Sequence, residues 1–173
     1  MVITMCGFVG FVDKMEQAEK CKVVKGMADL IIHRGPDQDD YFVDDDMALG
    51  FRRLSIIDLD GGGQPIYNED KTKVLVYNGE IYNYQALRED LIAKGHLFST
   101  KTDSEVLLHG YEEYGKEFLQ KLRGMYAFVI WDTVEKKAFG ARDIFGIKPF
   151  YYYKKDDLFL FGSEIKSFLA HPG

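Results

Sequence analysis

The sequence predicts an α+β domain, and three observations lead to that prediction. Apolar residues recur every three or four positions in several separate segments, which is the pattern of amphipathic helices. The last third of the chain instead contains short aromatic and apolar runs separated by polar loops, which is typical of a β meander. With 173 residues, of which 46% are hydrophobic and 29% charged, the chain is long enough for one domain with a substantial core.

The first part of the chain is predicted to contain one helix between strands. We expect a strand at residues 8–12, a helix at residues 17–33, and strands at residues 41–43 and 47–54. Glycines 7 and 10 flank and interrupt the first strand, and such glycines let another backbone or a ligand approach closely. The helical stripe includes Cys21, which is therefore expected in the core without a catalytic role.

The rest of the chain continues with helices and then the meander. We expect a strand at residues 73–77, helices at 83–93, 102–114 and near 118–122, strands at 125–131, 138–141, 150–153 and 158–161, and a last helix after Ser163. Thr102 and Glu105 have the spacing of a capping box at the start of a helix. Asp103 between them has a simple interpretation as a first-turn acid that complements the helix dipole.

The dipeptide Asn78-Gly79 leaves two interpretations open. It is the pair most typical of a two-residue β-hairpin turn. The return strand would be only three residues long, however, because Asn83 already has the character of a helix N-cap. A role for the pair other than chain reversal therefore stays open.

The composition restricts the kinds of partner and the cellular compartment that we expect for this protein. The net charge of -6 and the pI near 5.2 argue against a nucleic-acid groove or an anionic membrane surface. No apolar run approaches the roughly 20 residues that span a bilayer. The two cysteines form no disulfide framework, and no Cys/His spacing suggests a metal site, so we expect a cytoplasmic protein without a metal.

Cys6 also has two interpretations. If it is residue one of a mature chain, its thiol and its free α-amine supply a nucleophile and a general base together. The two groups exchange a proton easily, because a free thiol titrates at roughly 8.5 and an α-amine at about 7.7 to 8.0. The alternative is a small apolar residue buried in a strand, the commonest fate of a free cysteine.

Four sequence strings, taken together in this order, resemble one protein family. They are Met5-Cys6-Gly7, residues 33–37 (His-Arg-Gly-Pro-Asp), residues 78–83 (Asn-Gly-Glu-Ile-Tyr-Asn), and Gly140-Ala141-Arg142-Asp143 with Gly146-Ile147-Lys148-Pro149. In register they resemble the glutaminase domain of glutamine-hydrolysing asparagine synthetases, a class II amidotransferase of the N-terminal-nucleophile hydrolase superfamily. The resemblance implies a four-layer αββα sandwich with two mainly antiparallel sheets.

The resemblance also implies catalytic roles. Cys6 is similar to the nucleophile that attacks the side-chain amide of L-glutamine, forms a thioester and releases ammonia. Asn78 is similar to the side-chain donor of the oxyanion hole, and Gly79 to its backbone donor. Losing one such donor costs about 2.7 to 4 kcal/mol of transition-state stabilisation in other enzymes.

Substrate-binding and supporting roles follow from the same resemblance. Arg53 is similar to the arginine that binds the substrate α-carboxylate, a task suited to a planar fork of donors. Glu80 and Asp103 resemble the acids that hold the α-ammonium. The backbone at Leu54, Ser55, Ile56 and Ile57 would form the pocket wall, and Arg34 and Asp37 would support the site.

Two features depart from the family pattern. Residues 1–5 precede Cys6 and are expected to be a leader, and the amidotransferase domain is expected at residues 6–173. While the leader remains, the Cys6 nitrogen is a peptide amide. We therefore expect the chain that retains the leader to be catalytically inactive. No string resembling Ser-Gly-Gly-x-Asp-Ser occurs. We therefore expect no cofactor in this domain, with ATP and Mg²⁺ confined to an ATP-dependent synthetase domain that is fused or separate.

The sequence favours a thiol-dependent glutaminase that feeds ammonia to such a synthetase, with aspartate as the expected acceptor. A pseudo-glutaminase that only binds and docks is the main alternative, because Cys6 is not the first residue of this chain. An unrelated α+β domain is the remaining alternative. The oligomeric state is left open, a homodimer included.

Overall fold

The computed structural model describes residues 6–54 and 63–173. Its strands are β1 (Gly7–Val12), β2 (Gln38–Val43), β3 (Met47–Arg53), β4 (Ile66–Tyr67), β5 (Lys73–Ile81), β6 (Gly124–Asp132), β7 (Lys137–Arg142), β8 (Tyr151–Lys155) and β9 (Leu158–Gly162). Its α-helices are α1 (Gln17–Asp29), α2 (Tyr84–Ala93) and α3 (Asp103–Tyr114). Short 3₁₀ helices lie at Ile32–Arg34, Gly115–Lys121 and Ile165–Ala170.

The strands form two antiparallel sheets. The first sheet has the order β2-β3-β1-β9-β8, and the second has the order β4-β5-β6-β7. Every strand pair is antiparallel, including β1 with β9, which are far apart in the sequence. These long-range pairings explain why the meander at the end of the chain is divided between both sheets.

Three buried clusters define four layers. The cluster between the sheets combines residues of both: Phe8, Met47, Leu49, Phe51 and Phe161 with Val74, Val76, Ala127, Val129 and Trp131. A second cluster joins the first sheet to α1, and a third joins the second sheet to α2 and α3. The predicted α+β class and the αββα sandwich are therefore confirmed.

Strand alternation assigns side chains to these layers. In β1, Phe8 points into the core between the sheets, whereas Val9 and Phe11 point toward α1. In β5, Val74 and Val76 point between the sheets, and Leu75, Tyr77 and Ile81 point toward α2 and α3. This alternation decides which residues at the strand ends can meet.

The hairpin interpretation of Asn78-Gly79 is wrong. The strand β5 runs without interruption through both residues to Ile81 and stays paired with β6 throughout. Local turn preference is overridden here because nine consecutive pairs with β6 stabilise the extended backbone.

Two other local predictions fail for similar reasons. Cys21 is exposed, because α1 turns Lys20, Val24 and Met27 to the core instead. Thr102 is the N-cap of α3, but the capping box does not form. The carboxylate of Glu105 accepts hydrogen bonds from the backbone and hydroxyl groups of Ser99 and Thr100.

Within the described residues, no helix is long and apolar enough to cross a bilayer. The prediction that residues 1–5 are a leader lies outside the described residues.

We predict that Gly10→Ala destabilises the fold by about 1 to 3 kcal/mol, because the added methyl group would overpack the β1 interface. A Cβ at this position would lie 2.4 Å from the Phe161 ring and 2.8 Å from the Ala48 carbonyl oxygen. Urea unfolding measures the change. Gly26→Ala is the matched control within α1, where the nearest atom to the new Cβ is 3.5 Å away. Gly26→Ala should stabilise the fold by about 0.4 to 1 kcal/mol. Equal urea midpoints for the two variants would contradict the close packing at Gly10.

Candidate active site

Cys6 lies just before β1, at the edge where this strand pairs with β3. Gly7 pairs with Arg52, so the register brings Cys6 opposite Arg53. The Leu54 N–H donates to the Cys6 sulfur with an N to Sγ distance of 3.3 Å, and the thiol lies 3.8 Å from the Leu54 carbonyl oxygen. The side chain is half-buried and packs against the cluster between the sheets. The sulfur is thus held by backbone contacts while it stays accessible.

Asn78 points to the same region from the opposite sheet. It shares its strand face with Val74 and Val76, which point into the core between the sheets. The residue is only 4% exposed, and Nδ2 has no hydrogen-bond partner among the described residues. Buried polar groups are nearly always paired, so an unpaired amide donor in this position requires an explanation. An oxygen atom of a bound ligand would supply the missing acceptor.

The backbone of Gly79 points away from β6. Its partner Tyr126 uses both its backbone N–H and its carbonyl to bond Asp143 on the other side. In an antiparallel pair, both residues then direct their backbone groups outward. A Cβ at Gly79 would lie 2.3 Å from the Met125 carbonyl oxygen. The tight contact between the strands therefore requires glycine here.

The neighbours of Gly79 show which edge its N–H faces. The side chain of Gln64 accepts from the Tyr77 N–H at 2.6 Å and donates to the Tyr77 carbonyl at 2.9 Å. The Ile81 N–H donates to Asp103 Oδ2 at 2.8 Å. Because backbone direction repeats every second residue, Gly79 faces the same edge, between the Gln64 and Asp103 side chains.

Asp103 anchors the start of α3 to this edge. Its Oδ2 also accepts a hydrogen bond from the Tyr77 hydroxyl at 2.6 Å. Burial, with the negative charge of Asp103, raises the pKa of Tyr77 well above its usual value, so this hydroxyl remains a donor. The carboxylate is thus fixed at the end of β5, where its role is more specific than that of a dipole-complementing acid.

Arg53 and Asp37 lie side by side at the end of β3. The Asp37 N–H donates to the Arg53 carbonyl at 3.2 Å, and Arg53 Nη1 donates to Gln38 Oε1 at 3.3 Å. Glu80 is exposed and shares the strand face of Asn78. The predicted wall residues Ser55, Ile56 and Ile57 lie outside the described residues.

Arg34 links Cys6 to the end of the chain. Its Nε donates to the Cys6 carbonyl at 3.2 Å, and its Nη1 donates to Glu164 Oε1 at 3.1 Å. His33 Nε2 lies 2.8 Å from the same carboxylate oxygen. Although burial alone would raise the pKa of Glu164, the hydrogen bonds from Arg34 and His33 lower it. Arg34 therefore positions the backbone of Cys6 through a charged, partly buried network.

Lys148 is a site residue to which the sequence analysis assigned no role. The residue is 5% exposed, and its ammonium interacts electrostatically with Cys6, Arg34 and Glu80. Burial and the Arg34 charge lower the pKa of Lys148, and negative charge at Cys6 and Glu80 opposes that change. The lysine belonged to the fourth string, but only the fold brings it near the thiol.

The loop before Lys148 is held by Asp143. The carboxylate of Asp143 accepts from the N–H groups of Ile147 and Lys148, each at 2.9 Å. Although burial would raise the pKa of Asp143, these backbone donors lower it. Arg142 Nε donates to the Lys148 carbonyl at 2.7 Å. The strings at residues 140–143 and 146–149 therefore form one braced loop that presents Lys148.

This arrangement combines a half-buried thiol, an unpaired buried amide donor and an outward-facing backbone N–H. A sequence profile of the glutamine amidotransferase domain matches residues 5–173. The chain belongs to this family. The predicted relationship is thereby confirmed, and the cysteine nucleophile is consistent with it.

The amidotransferase domain is similar to much longer curated proteins. It is 51% identical over 169 residues to asparagine synthetase [glutamine-hydrolyzing] 1 of Bacillus subtilis, covering 96% of this chain and 27% of that protein. It is 44% identical to asparagine synthetase [glutamine-hydrolyzing] 2 of the same organism, covering 97% of this chain and 23% of that protein. The chain thus spans about a quarter of the length of these relatives.

A solved structure shares the fold of the amidotransferase domain. The glutamine phosphoribosylpyrophosphate amidotransferase of B. subtilis superposes with a TM-score of 0.77 at 22% identity. The match covers 95% of this chain and 43% of the other. The layered architecture is therefore retained at low sequence identity.

We predict that Lys148→Met slows iodoacetamide alkylation of Cys6 severalfold at pH 7, because the buried Lys148 ammonium attracts negative charge at the Cys6 sulfur. The rate is measured by mass spectrometry in a Cys21→Ser background, since Cys21 is an exposed second thiol. Lys14→Met is the matched control, because Lys14 lies at the surface and pairs with Asp157. Equal alkylation rates in the two variants, with unchanged melting temperatures, would contradict the electrostatic interaction between Lys148 and Cys6.

Proposed function

We propose that this domain hydrolyses L-glutamine to glutamate and ammonia through a thioester on Cys6. The unpaired, buried Nδ2 of Asn78 is the observation that carries the proposal. A donor of this kind fits an oxygen that becomes negatively charged during the reaction better than it fits a structural role. The membership of the chain in the glutamine amidotransferase domain family supplies the substrate class.

In the proposed reaction, the Cys6 thiol gives its proton to the general base, and its sulfur attacks the carbon of the glutamine side-chain amide. The carbonyl π electrons move to oxygen, which is stabilised by hydrogen bonds from Asn78 Nδ2 and the Gly79 N–H. When the tetrahedral intermediate collapses, the C–N bond breaks and ammonia leaves with a proton from the general base. Water then attacks the thioester, releases glutamate and restores the thiol.

The general base in this proposal is the α-amine of Cys6. Thiol and amine belong to one residue, so their separation is set by covalent geometry, and their ordinary pKa values are close. Arg34 holds the Cys6 carbonyl. This contact leaves the amine of a chain that begins at Cys6 with a fixed position beside the sulfur.

The substrate α-carboxylate and α-ammonium are proposed to bind at the ends of β3 and β5. Arg53 supplies the guanidinium, with the Leu54 backbone and residues 55–57 as the wall. Asp103 is already oriented by Tyr77 and Ile81, and a carboxylate has spare acceptor capacity for an ammonium. Glu80 adds negative charge at the exposed rim.

Ammonia is proposed to pass to an ATP-dependent synthetase domain, fused or on a separate chain. The support is that the curated relatives are named asparagine synthetases and are about four times longer than this chain. Aspartate is then the acceptor, and ATP and Mg²⁺ act in that domain. A cytoplasmic location and a homodimer remain predictions.

We expect Asn78→Ala to lower kcat for glutamine hydrolysis by about 100- to 1,000-fold with little change in KM, because the amide acts chiefly on the transition state. Arg53→Ala should instead raise KM, because it removes a contact made in both states. Ammonia release measures both. Asn83→Ala is the matched control. Asn83 lies at the start of α2, where its amide donates to the Lys121 carbonyl and accepts from the Arg123 N–H. A raised KM with normal kcat for Asn78→Ala would remove this residue from the oxyanion hole.

Glutaminase activity should also require Cys6 as the first residue. A chain that begins at Cys6 is expected to release ammonia, and a chain that begins at Met1 is expected to be inactive, because its Cys6 nitrogen is a non-basic amide. Intact mass identifies the first residue of each preparation, and Cys6→Ala supplies the background rate. Equal activity of the two chains would contradict the role of the amine. An inactive Cys6-start chain that still binds glutamine would favour the silent binding module.

A further inference from the structure

Three metal-ligating side chains lie together where the loop after α2 meets α3. They are those of His96, His109 and Glu112, each of which offers one ligand atom within 4.8 Å of the other two. We propose that this His-His-Glu cluster binds a borderline divalent transition-metal ion such as Zn²⁺. The proposal does not depend on the glutaminase reaction.

The distances within the cluster are close to those of a bound ion. Glu112 Oε2 lies 2.8 Å from His109 Nδ1 and 3.8 Å from His96 Nδ1. Ligands at 2.0 to 2.1 Å from a tetrahedral zinc ion are separated by about 3.3 Å. The ligand atoms of the two histidines lie within 4.8 Å of each other, so side-chain shifts of about 1 Å would bring all three ligands to one ion.

The local structure explains why these residues meet. His109 and Glu112 are three positions apart on α3 and therefore share one helix face. His96 follows Gly95, whose φ of 102° reverses the chain after α2 and directs the next residue back toward α3. The His96 and His109 rings lie 5.1 Å apart between centroids. The cluster thus connects the loop after α2 to the middle of α3.

Two of the three candidate ligands also have a partner for the atom that faces away from the ion. Glu112 Oε1 accepts from Asn68 Nδ2 at 2.7 Å, and Glu113 Oε2 lies 3.3 Å from His96 Nε2. Such outer contacts orient ligands and fix histidine tautomers in metal sites. They are present here without an ion.

The third outer atom is the buried Nε2 of His109. It has no hydrogen-bond partner among the described residues, although Glu105 Oε1 lies 3.8 Å away. A metal ion on Nδ1 would place the ring proton on Nε2, facing that carboxylate. Metal binding at Nδ1 would therefore make Nε2 a donor directed toward a carboxylate.

Accessibility and charge also favour a cation. His109 is buried, whereas the side chains of His96 and Glu112 are 17% and 18% exposed, so solvent reaches two of the three candidate ligands. Glu105, Glu112 and Glu113 place three carboxylates around two imidazoles. A dication would offset part of this negative charge.

The test is calorimetric titration of Zn²⁺ into the full chain in a Cys6→Ser, Cys21→Ser background, which removes both thiols as competing ligands. We expect one ion per chain. His96→Gln and Glu112→Gln should each weaken binding by at least about tenfold, and each ligand is partly exposed, so both variants should fold. Circular dichroism and melting without metal verify folding.

His33→Gln is the matched control, because His33 lies outside the cluster and its side chain is 46% exposed. Its affinity should be unchanged. Zn²⁺ should raise the melting temperature of the parent and of His33→Gln, but not that of His96→Gln. Failure of the parent to bind, or equal affinity in the parent and His96→Gln, would overturn the proposal and leave an ion-pair network. Glutaminase activity is not a readout, so this result is independent of the reaction proposed for Cys6.

Discussion

The face-to-face packing of two antiparallel sheets is the constraint on which the site depends. Cys6 is carried by the first sheet and Asn78 by the second, and both adjoin the core between them. Because side chains alternate with a period of two, a slip of one residue in β5 would turn Asn78 toward the helices. The nine pairs between β5 and β6 prevent such a slip, and the alternating apolar residues of β5 reinforce them. Active-site geometry is therefore a consequence of sheet register.

The charged residues around the thiol are held by contacts that do not involve it. Asp143 braces the loop that presents Lys148, and Glu164 holds the guanidinium of Arg34. Each cation thus reaches the region of Cys6 with its backbone or its head group already fixed. Such an arrangement reduces the reorganisation required when negative charge develops on sulfur or on a substrate oxygen. It also explains why residues from both ends of the chain contribute to one site.

Sequence patterns were sufficient for elements whose residues act locally. The apolar periodicities of α1, α2 and α3 and the β-rich runs predicted their elements, and the four strings predicted the family. The predictions failed where residues far away in the sequence determine the local conformation. Asn78-Gly79 has the preference of a turn, yet pairing with β6 keeps it extended. Glu105 has the spacing of a capping residue, yet its carboxylate is bound by Ser99 and Thr100.

The sequence also could not predict contacts between residues that lie far apart in the chain. Nothing in the spacing of Lys148 relates it to Cys6, because their contact depends on the packing of the loop after β7. His96 and His109 were missed as a pair for the same reason.

A helix rise of 1.5 Å per residue places His109 and Glu112 about 9 to 14 Å along α3 from Asp103. The same helix therefore carries an acid fixed at the edge of β5 and, two turns later, the imidazole cluster. The carboxylate of Asp103, the first residue of this helix, is bonded to Tyr77 and Ile81. Neither group is encoded by one stretch of sequence, because Asp103 meets its partners on β5 and His109 meets His96 in the loop after α2.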